Sequence, residues 1–216
     1  MIVAKQKDLE VIVGMLQGYE RILVLGCGTC TAICLTGGDR EVGILASSLR
    51  LADKVSGKNR LLKEHTVERQ CEWEFLDEIN DQVKEVDAIL SLGCGVGVQA
   101  ISERFPDIPV LPGLDTLFMG MPQEESVWVE RCSGCGNCIL DKTAGICPVT
   151  RCTKGLLNGP CGGTNNGKCE VDPEKDCAWT LIYQRLEKQG KLELFDEYHP
   201  PRNFQAVVRP GRFTIK

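Results

Sequence analysis

Histidine is almost missing from this sequence, with only His65 and His199 among 216 residues. General acid–base catalysis therefore has little to work with, because histidine is the side chain that titrates near neutral pH. Basic excess is missing as well: 25 Lys and Arg face 30 Asp and Glu, for a net charge of -5. That balance excludes a nucleic-acid surface, whose affinity comes from cationic side chains. No stretch approaches the roughly 18 apolar residues of a membrane span, and the opening MIVAKQKDLEVIVGMLQGYE has neither the apolar run nor the small-residue cleavage site of a signal peptide. We therefore expect no membrane insertion and a cytoplasmic location. At 43% hydrophobic residues the chain can build a core, so disorder is not its default.

Cysteine, by contrast, is abundant, at 13 residues. Disulfides are rare in a reducing cytosol, and an odd number cannot pair completely within one chain. Metal binding is the better use for them. Eight lie between Cys132 and Cys177, and the other five precede residue 95. Two sites, or two kinds of site, are implied.

Hydrophobic spacing predicts an amphipathic helix over 8–18 behind Asp8, a strand at RILVLG, and a helix from Asp39 to Gly57 with Val42, Leu45, Leu49 and Ala52 on one stripe. A polar strand is expected over 63–70, KEHTVERQ, then a helix carrying Phe75, Ile79 and Val83 to about Lys84. The strand VDAILSLG, a helix from Val98 to Arg104 and the strand PVLPG complete the pattern. Such alternation predicts an α/β domain over 1–122: a Rossmann-like parallel sheet with helices on both faces and a cysteine site at the C-terminal ends of its strands. From Gln123 the composition turns to Cys, Gly, Asn and Pro, so 123–190 reads as a cysteine-rich iron-sulfur domain closed by a helix with Trp179, Ile182, Tyr183 and Leu186 on its apolar stripe. Residues 191–216 are expected to form an extended tail, either a clamp on a partner or a free terminus.

The stretch LGCGTCTAIC has the start of a dinucleotide loop, but Thr31 stands where the third glycine belongs and Cys71 where an acid should end the second strand. Metal ligation accounts for more of it. Cys27 and Cys30 form C-x2-C, Cys71 follows the second strand, and Cys94 in LGCGVG follows the third; a parallel sheet brings such strand ends to one edge. Four thiolates complete one cubane or one zinc site, so of the five early cysteines one is surplus. Cys34, a turn beyond Cys30, is the candidate: a possible ligand or a core residue. The repeated LGCG suggests glycines that let backbone approach a bulky cluster.

RCSGCGNC supplies C-x2-C-x2-C at Cys132, Cys135 and Cys138, and Cys147 precedes Pro148 as the last cysteine of a bacterial ferredoxin run does, although the gap before it is longer. With Cys152, Cys161, Cys169 and Cys177 the segment holds eight thiols, the number for two 4Fe-4S clusters. A partition giving the triple motif a late cysteine as fourth ligand is one option among several. Zinc is the alternative, but its sites more often show paired C-x2-C knuckles and histidine, and no histidine lies between residues 66 and 198. Trp128 and Trp179 flank the segment and suit either core packing or shielding of a cluster. No side chain reads as catalytic; both histidines and the scattered carboxylates suit satisfied or solvated positions.

The motifs GCGTC, TVERQC, SLGCGVG, GLLNGPCGGTNNGKCEV and CAWTLIYQRL resemble the methylenetetrahydrofolate reductase C-terminal domain family, the small iron-sulfur MetV-type subunit of anaerobic, especially acetogenic, bacteria. The resemblance runs over nearly the whole chain. It implies an electron-transfer subunit of an oxidoreductase complex in one-carbon metabolism (the Wood-Ljungdahl pathway), with no turnover of its own. It further implies a flavin-containing, barrel-folded reductase subunit as partner, and a donor such as ferredoxin or an NADH-oxidising subunit. On matching motif positions it carries over Cys27, Cys30, Cys71 and Cys94 for one site, and Cys132, Cys135, Cys138, Cys147, Cys152, Cys161, Cys169 and Cys177 for the others. Two or three 4Fe-4S clusters are the cofactors it implies, with zinc possible at one site and no flavin expected on this chain.

Overall fold

The computed structural model describes residues 1–207 and 209–214. The chain divides into two compact units, Met1–Trp128 and Val129–Lys216. The boundary lies beyond the composition change at Gln123, because a hairpin continues through that change before the chain enters the second unit.

In chain order the first unit contains β1 (Ile2–Gln6), α1 (Leu9–Met15), β2 (Arg21–Cys27), α2 (Cys30–Ile33), α3 (Asp39–Ser56), β3 (Leu61–Val67), α4 (Trp73–Leu76), α5 (Asn80–Val83), β4 (Ala88–Ser91), α6 (Gly95–Arg104), β5 (Val110–Pro112) and β6 (Leu114–Glu124), and β7 (Val127–Cys132) straddles the boundary. Four strands form a parallel sheet in the order β3-β2-β4-β5. The strand order reverses around β2, so the crevice at the C-terminal ends of β2, β3 and β4 is the place where such sheets hold ligands.

The alternation along β2 shows how the two faces are filled. Ile22 and Val24 pack with Ile12, Leu45 and Leu49 of α1 and α3, whereas Leu23 and Leu25 pack with Leu76, Ile79 and Ile101 of the opposite helices. All four strand residues are fully buried, and burying each stabilises the fold by roughly 1.5–3 kcal/mol. Helix α3 begins at Gly38, where the Glu41 carboxylate accepts the Gly38 backbone N–H at 3.0 Å, and it ends at Gly57 in the left-handed region at φ 69. Its buried stripe is Val42, Leu45, Ala46, Leu49 and Asp53 rather than one that includes Ala52.

Several elements differ from the sequence reading. The second strand starts at Leu61 and stops at Val67, because pairing with β2 runs from Arg21↔Leu61 to Cys27↔Val67 and leaves Glu68 to Gln70 outside the ladder. The helix expected through Phe75, Ile79 and Val83 is broken into α4, a 3₁₀ turn at Asp77–Ile79 and α5. The largest difference is a second sheet, order β1-β6-β7, in which β1 pairs antiparallel with β6 and a bulge lies between Val3 and Ala4. Leu117, Met119 and Met121 of β6 remain exposed.

At the N-terminal edge of the parallel sheet the Asp87 carboxylate accepts the Arg21 guanidinium and the backbone N–H groups of Arg21 and Glu20, joining the starts of β2 and β4. These bonds, the guanidinium first, hold Asp87 below the ordinary carboxylate range. A depressed folded value stabilises the protein above the unfolded pKa of about 4 and loses that contribution as pH falls through the folded value. Asp87→Asn should therefore lower the urea midpoint by a small, constant amount at neutral pH, and the difference should vanish in acid; a difference that persists in acid would show that the charge is not its source.

The second unit is built around α8 (Ala178–Gln189), preceded by α7 (Pro148–Arg151) and otherwise by turns and the isolated bridges Asn165↔Lys168 and Lys168↔Asp176. Ile146, Trp179, Ile182 and Leu186 form its small core. Phe195 stands edge-on to Trp179 and Tyr183, with ring centroids 5.7 and 5.6 Å apart. The residues after Gly190 are not the extended tail expected from sequence. They form 3₁₀ turns at Leu192–Asp196 and Phe204–Val207, because Phe195 has a core to join and Asn158 exchanges two hydrogen bonds with the His199 backbone, at 2.8 and 2.7 Å. Residues 208, 215 and 216 of the tail lie outside the described residues. Among the described residues no helix is long and apolar enough to cross a membrane.

Candidate metal centres

In the first unit the strand ends deliver cysteines to one crest. Cys27 closes β2 and is 7% exposed; Cys71 follows β3, and half-buried Cys94 caps α6 after β4. Burial pushes the Cys71 thiol up, and the neighbouring Cys27 and Cys94 push it further. Mutual electrostatic influence of this kind places the three thiols in one neighbourhood. Cys30 opens α2 and is half-buried, and the Thr29 hydroxyl before it lies 3.6 Å from Cys27 Sγ. Cys34 turns elsewhere: it is 3% exposed, with its sulfur 3.1 Å from Thr36 Oγ1 and 3.9 Å from the Ala4 carbonyl of β1.

The first two amides of the loop after β2 are not open to a phosphate. The Cys27 and Gly28 N–H groups donate to Gly37 O at 2.8 Å and Val67 O at 2.9 Å. Thr31, where a third glycine would sit, is fully buried and donates to Cys27 O. Amides already committed cannot collect around an anion.

Sequence reasoning passed over Gln70, the residue just before Cys71. It is fully buried; its Nε2 donates to Leu25 O at 2.8 Å, and its Oε1 accepts the Ser91 hydroxyl at 2.6 Å. The bridge locks the Cys71 loop onto β2 and β4. Gln70 also explains two of the three glycines of LGCGVG, since a Cβ on Gly93 would stand 2.0 Å from its Oε1 and one on Gly97 2.8 Å from its Cβ. The space beside Gly93 thus holds a side chain of the protein, not the bulky cluster suggested from sequence. A buried amide in TVERQC, next to a cysteine, was the available signal.

In the second unit Cys152, Cys161, Cys169 and Cys177 line one cavity of about 20 Å³, together with Lys154 and Glu170. Cys169 is held low by the Thr153 hydroxyl, 3.6 Å away, and by the Val171 and Asp172 amides. Burial raises Cys177, but donors from Thr180, Trp179 and Thr164 outweigh it and leave the thiol below its ordinary value. Donors aimed at sulfur favour thiolate, the form that binds metal. Trp179 also lines this cavity while belonging to the core, and its Nε1 donates to Leu156 O at 3.0 Å. Trp128 Nε1 is buried without a partner.

The late cysteines Cys161, Cys169 and Cys177 all line the cavity with Cys152. Cys132 ends β7 and Cys147 caps α7. The Thr150 hydroxyl donates to Arg131 O at 3.1 Å, tying the helix after Cys147 to the residue before Cys132. Cys135 Sγ lies 3.6 Å from Asn137 O, and Cys138 is exposed. Among the described residues no group of three or more His, Cys, Asp or Glu converges as it would on one bound ion. His65 Nε2 is buried without a partner, and His199 is held through its backbone.

Residues 111–205 match the family described as Methylene-tetrahydrofolate reductase C terminal. No curated protein and no solved structure matches the chain. The matched segment contains all eight cysteines from Cys132 to Cys177, the cavity and α8. Through residues 111–205 the chain is similar to the methylene-tetrahydrofolate reductase C-terminal family.

Proposed function

We propose that this chain is the iron-sulfur electron-transfer subunit of a methylenetetrahydrofolate reductase, passing electrons to a flavin on a partner subunit that reduces methylenetetrahydrofolate to methyltetrahydrofolate. The observation that carries the reading is the gathering of Cys152, Cys161, Cys169 and Cys177 around one cavity, inside the segment that matches the reductase family. An all-thiol donor set without histidine fits a 4Fe-4S cluster. Such a cluster, when bound, supplies one-electron carriage, while hydride chemistry belongs to the flavin. The residues of this chain contribute ligation and polarity: Thr153, Thr164 and Thr180 aim donors at the sulfurs. Cys132, Cys135, Cys138 and Cys147 are proposed as a second ligand set, and Cys27, Cys30, Cys71 and Cys94 as a third.

A second reading, a zinc-stabilised adaptor of the same reductase, draws on one observation. The cavity of about 20 Å³ has room for a body about the size of one water, and four cysteines are a common structural zinc set.

Iron, zinc and acid-labile sulfide per chain, measured on protein purified without oxygen, separate the two. Three clusters would give about twelve irons, and two about eight. Cys161→Ala is expected to remove about four irons, and Cys161 is exposed, so the fold should survive the change. Undiminished iron in that variant would strike Cys161 from the ligand set, and zinc without iron would replace the electron-transfer reading with the adaptor.

A further inference from the structure

One wall of the four-cysteine cavity carries a pair of opposite charges. The Lys154 ammonium pairs with Glu170 Oε1, and Cys161 Sγ lies 3.3 Å from that same oxygen. Lys154 also interacts with Cys161 directly. The carboxylate lies against Gly163, where a Cβ would fall 1.7 Å from Glu170 Oε2.

Four thiolates around a di- or trivalent centre leave the site net negative, and an added electron makes it more so. A cation at the wall favours that electron and a carboxylate opposes it, in proportion to proximity and screened by solvent. Lys154 and Glu170 are 43% and 38% exposed, so the two charges act in partly screened surroundings and through the sulfur nearest them, that of Cys161.

Resting on the assignment of these cysteines as metal ligands, we propose that Lys154 and Glu170 are positioning residues that set the charge balance, and with it the reduction potential, of the group held by Cys152, Cys161, Cys169 and Cys177. Lys154 raises the potential by offsetting thiolate charge. Glu170 restrains Lys154 and lowers it. The two effects are opposite in sign, which a merely structural ion pair would not produce, since breaking such a pair from either side has the same consequence.

The test uses the full chain purified without oxygen as wild type, Lys154→Gln and Glu170→Gln, with iron and sulfide counted and the centres titrated spectroscopically against potential. With iron content unchanged, one redox transition is expected to move to more negative potential in Lys154→Gln and to more positive potential in Glu170→Gln, while the others stay. Transitions that move together, or not at all, with iron retained would overturn the proposal and leave the iron-sulfur reading intact. Should the chain hold zinc and no iron, that reading fails, and the charge balance is read as zinc retention against a chromophoric chelator. Loss should then be roughly tenfold faster in Lys154→Gln and slower in Glu170→Gln, and equal retention would overturn the proposal.

Discussion

Gly37→Ala is expected to disrupt the crest of the parallel sheet and to be the most damaging single methyl in the first unit. A Cβ there would stand 1.9 Å from the Leu92 carbonyl oxygen and 2.8 Å from Thr31 Oγ1. The carbonyl cannot retreat cheaply, because the Leu92 N–H is bonded to Leu25 O at 2.8 Å and the Leu92 side chain is fully buried. Gly37 is fixed too: its carbonyl accepts the Cys27 N–H at 2.8 Å and its N–H donates to Thr31 O at 3.0 Å. Overpacking costs typically 1–3 kcal/mol, and losing the Cys27 bond adds about 1–3 kcal/mol for a buried unsatisfied group. The sum of about 2–6 kcal/mol corresponds to a fall in Tm of roughly 10 °C for a protein of this size. Metal bound through Cys27 should be lost with it, since Cys27 is the residue displaced. Gly14→Ala is the control, because a Cβ at Gly14 meets nothing within 4 Å, and that helix position should gain about 0.5–1 kcal/mol. Equal melting temperatures for the two variants would refute the steric account.

Arg60→Met should cost about as much, for an electrostatic reason. The Asp53 and Arg60 side chains are each 5% exposed; Arg60 Nε reaches both carboxylate oxygens of Asp53, at 2.9 and 3.0 Å, and Nη1 donates to Leu16 O at 3.3 Å. The pair therefore ties the end of α3 to the end of α1 and the start of β3. Removing one partner leaves a buried charge uncompensated and costs about 3–5 kcal/mol, whereas replacing a buried pair with apolar side chains of similar volume is often near neutral. Arg60→Met or Asp53→Leu alone should thus lower the urea midpoint strongly, while the double variant should recover most of the loss. Simple addition of the two losses would show that the sites act independently and that the pair is not the unit of stabilisation.

The parallel sheet was legible because its signals are local and strong. RILVLG and VDAILSLG each hold a short apolar run, and Val42, Leu45 and Leu49 repeat at helical spacing between Gly38 and Gly57. The antiparallel sheet was not legible, since β1 is five residues long and half polar and its partner β6 lies more than 100 positions away. Neither strand has a pattern that stands without the other. Glycine was misread for a related reason. Its presence in LGCGVG signalled a close approach, but only the folded chain shows that Gln70 is what approaches.

The sequence by itself determined the chemistry on offer: 13 thiols, two histidines, an acidic net charge, and motifs that resemble one reductase family. Residue types and short spacings are properties of the chain and survive any fold. Which thiols line one cavity was decided only by tertiary structure, because Cys152, Cys161, Cys169 and Cys177 are joined by loops whose path depends on glycine turns, the Trp179 core and the bridges of Lys168. The same holds for Cys34, which is separated from the crest by the direction of one short helix, and for the charges of Lys154 and Glu170, which lie 16 positions apart and meet at a single sulfur.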